Sequence, residues 1–132
     1  MKHRQAVVRT DYQEFTRWWK AHGWDAIPKE LLPPTGFVAT DDDGTMLAAG
    51  WLYCDANVPM GIMEWIVANP DNTPITSYKA INLVLEQVAW LADEIGLKAI
   101  YSSVQNEGLE RLYNKHGFKS TDKQMTSVMR TA

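Results

Sequence analysis

Ile81, Val84, Leu85, Val88, Leu91, Ala92 and Ile95 recur at the i, i+3, i+4 spacing, and Gly96 stops the pattern. A helix with so continuous an apolar stripe has to lay that face on another apolar surface. The neighbouring segments supply one. Ile62 to Ala68, just before it, and Lys98 to Val104, just after it, are both strand-prone runs. A long helix between two strands is the seed of a sheet that carries helices on its faces.

The rest of the chain extends this pattern in both directions. Ala6 to Arg9 reads as a short strand, and Thr10 or Asp11 is positioned to cap a helix from about Tyr12 to His22 that Gly23 ends. Pro28, Pro33 and Pro34 make Trp24 to Pro34 an irregular connection. Phe37 to Thr40 and Met46 to Tyr53 are apolar runs joined by Asp41-Asp42-Asp43-Gly44, a hairpin signal. Pro59 and Gly61 mark a turn before the strand that opens at Ile62. Leu109, Leu112 and Tyr113 give a shorter helix that ends at Gly117, and Phe118 to Asp122 and Met125 to Arg130 read as two closing strands. The predicted architecture is one α/β (α+β) domain over residues 1–132. Its mixed, mostly antiparallel sheet has six to seven strands, flanked by three or four helices.

Composition removes several classes of function. A chain of 132 residues carries one ordinary domain, and a net charge of −3 gives no basic field for nucleic acid or an anionic membrane. Residues 1–10 lack the apolar stretch of a secretory signal. Asn82, Glu86, Gln87, Asp93 and Glu94 interrupt the most apolar region, which therefore cannot cross a bilayer. A soluble cytoplasmic protein is expected, and the lone Cys54 suits a reducing compartment. His3, His22, His116 and Cys54 show no ligand spacing, so no metal site is expected. No Gly-x-Ser-x-Gly occurs, and the acidic turn at Asp41 is accounted for by the hairpin.

Three segments together resemble the GNAT superfamily, the acyl-CoA-dependent N-acyltransferases. Glu64-Trp65-Ile66-Val67-Ala68-Asn69-Pro70 is similar to the fourth strand of that fold where it leads into the pyrophosphate loop. The long amphipathic helix follows directly. Asn106 to Phe118, NEGLERLYNKHGF, is similar to the family's late signature of Asn, a Leu-Tyr pair and Gly-Phe. Leu31-Leu32-Pro33 before Gly36-Phe37 resembles a subgroup of small GNAT-like proteins common in bacteriophages.

The resemblance implies an N-acetyltransferase that moves an acetyl group from acetyl-CoA to a primary amine, on a small molecule or a protein. Tyr113 matches the tyrosine that gives a proton to the departing thiolate; the plainer alternative is a packed ring. Glu64 matches the strand carboxylate that serves as general base. Period-two alternation puts it on one face with Ile62, Ile66 and Ala68, where partial burial would raise its pKa. Backbone groups of Val67 and Asn69 would meet the pantetheine amides, and Asn106 would meet the same arm while capping the helix that follows. Phe15, Trp18 and Trp19 have the spacing of a helix packed on a sheet. Trp24 lies beyond that helix, where the resemblance implies a wall of the acceptor cleft.

The pyrophosphate loop departs from the family form. Laying (Arg/Gln)-x-x-Gly-x-(Gly/Ala) on the chain without gaps puts Thr73 at the Arg/Gln position and Thr76 and Tyr78 where small residues belong. Alternatively Thr73 is an N-cap with Pro74 at the first helical position, and Thr73, Thr76 and Ser77 offer hydroxyls to an anion. The departure also supports a second expectation, a catalytically inactive GNAT-fold module that binds a protein partner. A homodimer is compatible with either.

Overall fold

The computed structural model describes residues 1–131. Among these the chain forms β1 (Lys2–Gln5), α1 (Val8–Ala21), a 3-10 turn (Lys29–Leu31), β2 (Gly36–Thr40), β3 (Met46–Asp55) and β4 (Val58–Ala68). Then follow α2 (Pro74–Glu94), β5 (Ala99–Ser102) and α3 (Glu107–Lys115). The sheet runs β1-β2-β3-β4-β5. Neighbours are antiparallel except β4 and β5, which lie parallel across the α2 crossover.

Each face of the sheet buries its own core. On one, Val84, Leu85 and Val88 of α2 and Leu112 and Tyr113 of α3 cover Ala48, Leu52, Met63 and Ile66. On the other, Phe15, Trp18 and Trp19 of α1 cover Val38, Ala49, Trp51 and Val67. Phe15 meets Trp51 edge-to-face with centroids 5.0 Å apart. The indole N–H groups of Trp18, Trp19 and Trp51 are buried without an acceptor, so the aromatic contact area of this cluster also has to offset their lost hydration.

The N-terminal expectation shifts by several residues. The first strand is Lys2–Gln5, and α1 already begins at Val8. Asp11 is not the N-cap but lies inside the first turn. Its carboxylate accepts from the Val7 N–H at 2.8 Å and from both ends of the Arg4 guanidinium at 2.8 and 3.0 Å. The strand is a fully exposed edge of polar residues, so it carries no apolar alternation to read.

Among the described residues the two closing strands do not form, and the sheet has five strands rather than six or seven. After Gly117 the chain stays with α3 instead of joining β5. Phe118 stacks against Tyr113, the Asn114 side chain donates to the Phe118 carbonyl at 3.0 Å, and Ser120 donates to Glu110 at 2.6 Å.

One irregularity in β4 organises everything near its C-terminal half. Trp51 faces Glu64 and Ala49 faces Val67, so β4 carries one residue more than β3 across this interval. Trp65 takes the strain at φ +63°, an uncommon conformation for so bulky a residue. Gly50 lies opposite, and a Cβ there would collide with the Ile66 and Val84 side chains. The missing side chain lets Ile66 drop into the α2 core.

Candidate active site

The bulge changes which residues share a face. Glu64 is not on the face of Ile66, as strict alternation requires. It stands with Ile62 and Trp51 on the α1 side, while Met63 and Ile66 point to α2. Its carboxylate is half-buried, and burial raises its pKa above the ordinary glutamate value. The Ser103 hydroxyl, donating at 3.2 Å, and the Trp65 N–H offset part of that rise. Among the described residues no lysine, arginine or histidine forms an ion pair with Glu64.

Tyr113 lies across the sheet from Glu64. It is buried in the α2–α3 core, on the face of Met63 and next to Ser102. Burial pushes its phenol well above the ordinary tyrosine value. The Glu64 charge adds to this, and the nearby Ser102 hydroxyl offsets part of it. Ser102 in turn donates to the Met63 carbonyl at 2.7 Å. The two residues expected to do chemistry thus sense each other from opposite faces, at the place where β4 and β5 stop pairing.

That separation is abrupt. β5 pairs with β4 from Met60 to Met63 and ends at Ser102, while β4 continues to Ala68. Beyond Met63 the β5-side edge of β4 has no strand beside it among the described residues. The residues on that edge differ from the sequence expectation. The Asn69 N–H donates to the Leu47 carbonyl at 2.9 Å, and Val67 faces Ala49 on the same ladder two residues earlier. Both therefore turn their backbone toward β3, and Ala68 between them turns away. The Ala68 carbonyl accepts from the His22 ring at 2.9 Å. The Asn69 side chain spans Met46 and Asp71 and so serves the turn after β4.

The start of α2 follows the capping alternative. Thr73 is the N-cap, its hydroxyl oxygen accepting from the Thr76 N–H at 3.2 Å, and Pro74 fills the first turn. Thr73 also donates to the Thr76 hydroxyl, and Ser77 accepts from Asn72. Tyr78 points to α3, where Lys115 donates to its hydroxyl at 2.8 Å. Asn106 caps α3 by accepting from the Leu109 N–H at 3.0 Å.

Trp18 and Trp19 are core residues, and Trp24 is 44% exposed. Trp24 stacks on His22 at 5.8 Å, near the Ala68 end of β4 rather than beside Glu64. Sequence reasoning missed Tyr53, Trp65 and Ser103. The Tyr53 hydroxyl accepts from the Trp65 indole at 2.8 Å and donates to the Leu31 carbonyl at 2.5 Å, tying the bulge to the proline-rich connection. Nothing in the local pattern marks a bulge at Trp65; Gly50 on the facing strand is the one available hint.

No protein-family model and no curated protein matches this sequence. Solved structures do. A probable acetyltransferase superposes with a TM-score of 0.72 at 14% identity, covering 100% of this chain and 99% of that one. An acetyltransferase from Trypanosoma brucei gives 0.67 at 15% identity, with 97% and 99% covered. A probable acetyltransferase from meticillin-resistant Staphylococcus aureus gives 0.72 at 14% identity, with 99% and 98% covered. The chain therefore shares the fold of these structures over nearly its whole length.

Proposed function

We propose that this protein is an N-acyltransferase moving an acetyl group from acetyl-CoA to a primary amine. The observation that carries the reading is the pairing of Glu64 and Tyr113 across the gap where β4 and β5 separate. Direct attack by an amine needs a base on the acceptor side and a proton donor on the leaving-group side. The raised Glu64 carboxylate suits the first task, since a stronger base holds the ammonium proton better. The Tyr113 phenol stays protonated and is present as a hydrogen-bond donor to the departing thiolate, although burial makes it a weaker acid than an ordinary phenol.

The donor supplies the acyl group as a thioester. The open edge of β4 fits a chain of amides such as the pantetheine arm, which can lie there as an added strand. The start of α2 fits a diphosphate less well. Pro74 has no N–H, the Thr76 N–H is taken by Thr73, and Arg17 is already paired with Glu14 and Asp71. In this reading donor affinity rests mainly on the pantetheine part. The same poor cradle favours a second reading, a non-catalytic binding module of this fold.

The test is thiol release from acetyl-CoA in the presence of amines, for the wild type and for Tyr113→Phe. The variant is expected to lose about one to two orders of magnitude in kcat with acetyl-CoA affinity unchanged. Equal turnover would remove Tyr113 from the mechanism, and no turnover in the wild type with any amine would favour the binding module.

A further inference from the structure

On the α1 side of the sheet, past the end of the tryptophan cluster, three strands present one row of side chains. Tyr53 of β3 faces Ile62 of β4, and Ile62 faces Tyr101 of β5. The next row carries Glu64, with Ser103 donating to it. Ile62 and Tyr101 are 42% and 45% exposed, and Met60 continues the apolar strip at 45%. Trp65 borders Tyr53 through its indole N–H.

The chemistry of this face is one-sided. Its single carboxylate is half-buried and lacks a cationic partner, an arrangement that favours an ammonium over water alone. Of its other polar groups, the Tyr53 hydroxyl is committed to Leu31 and Trp65, the Trp65 indole to Tyr53 and Ser103 to Glu64, which leaves the exposed Tyr101 hydroxyl as a neutral donor and acceptor. No basic side chain stands at positions 53, 60, 62, 64, 101 or 103, so a substrate carboxylate beside the ammonium would meet the Glu64 charge with no cation to offset it. What is left for the body of a ligand is aromatic and aliphatic surface.

We propose that this face takes the acceptor as one primary ammonium on an aromatic or apolar body that bears no carboxylate. The ammonium sits at Glu64 and the body lies along Ile62 and Tyr101. The inference rests on Glu64 being the acceptor-side base. A monoamine is favoured over a polyamine because one carboxylate matches one charge, and a second ammonium would rest on apolar surface.

The experiment compares phenethylamine, spermidine and phenylalanine as acceptors with acetyl-CoA, and titrates phenethylamine calorimetrically into the protein alone. Phenethylamine is expected to exceed spermidine about tenfold and phenylalanine about a hundredfold in kcat/KM. Tyr101→Ala is expected to raise its KM about tenfold without changing kcat or the KM for acetyl-CoA. Tyr101→Phe, which keeps the ring, should recover most of the phenethylamine affinity that Tyr101→Ala loses. Equal use of phenylalanine or spermidine, or indifference to Tyr101→Ala, overturns the proposal. If no amine is acetylated, the acyltransferase reading fails. Phenethylamine binding that weakens in Tyr101→Ala but not in Tyr101→Phe then still upholds the ligand class, and absence of binding overturns it.

Discussion

Glu64 and Tyr113 are both driven toward their neutral forms by burial, yet the proposed reaction asks opposite things of them. Glu64 has to be ionised to accept a proton, so its raised pKa moves the acid limb of kcat/KM above the usual glutamate value of about 4.3. Tyr113 has to stay protonated, and its phenol titrates above the ordinary tyrosine range. The expected profile therefore rises through an upshifted acid limb and shows no fall attributable to Tyr113 up to about pH 10. Glu64→Gln should remove the acid limb and most of the rate. A limb that survives in that variant would show that another group is the base.

At the scale of elements, Asp11 joins β1 to the first turn of α1. Burial pushes its carboxyl up, but the Arg4 guanidinium and the Val7 N–H more than offset this and hold it below the usual value. A carboxylate with a lowered folded pKa contributes stability above its unfolded pKa of about 3.9, and this is lost as pH falls through the folded pKa. Asp11→Ala should cost about 2–3 kcal/mol at pH 7, because it leaves the guanidinium and the Val7 N–H just before the helix without their acceptor. Arg4 is partly exposed, so solvent takes up some of that loss. Urea unfolding at pH 7 and at pH 2 checks this: the gap between wild type and variant should close at the lower pH. A gap of the same size at both would mean that packing, not charge, holds the junction.

The same elements show what the sequence made legible. The Ile81 to Ile95 stripe, the Asp41 turn, the Thr73-Pro74 start and the Asn106 cap are local signals, and the structure contains each of them. Residues 2–5 form a strand with no apolar alternation, because an exposed edge needs none. Phe118 to Arg130 has strand-like composition but no strand. Its start is held to α3 by Asn114, Glu110 and Tyr113, contacts that depend on where the short helix lies. The face of Glu64 was misread for a similar reason. One extra residue at Trp65, with Gly50 opposite, inverts the alternation after it, and only the pairing of β3 with β4 reveals the count.

For the whole molecule, α1 lies on one face of the sheet, α2 and α3 on the other, and the two faces communicate where β4 outruns β5. This suits a reaction in which donor and acceptor approach from opposite sides. The second reading, a silent binding module, shares the same frame and differs in whether the edge of β4 still takes a thioester. The decisive measurement is calorimetric titration of the full chain with acetyl-CoA beside S-acetylpantetheine. Both are expected to bind one to one, within about tenfold of each other, because the start of α2 adds little for the diphosphate. No heat from either ligand up to millimolar concentration would contradict the account.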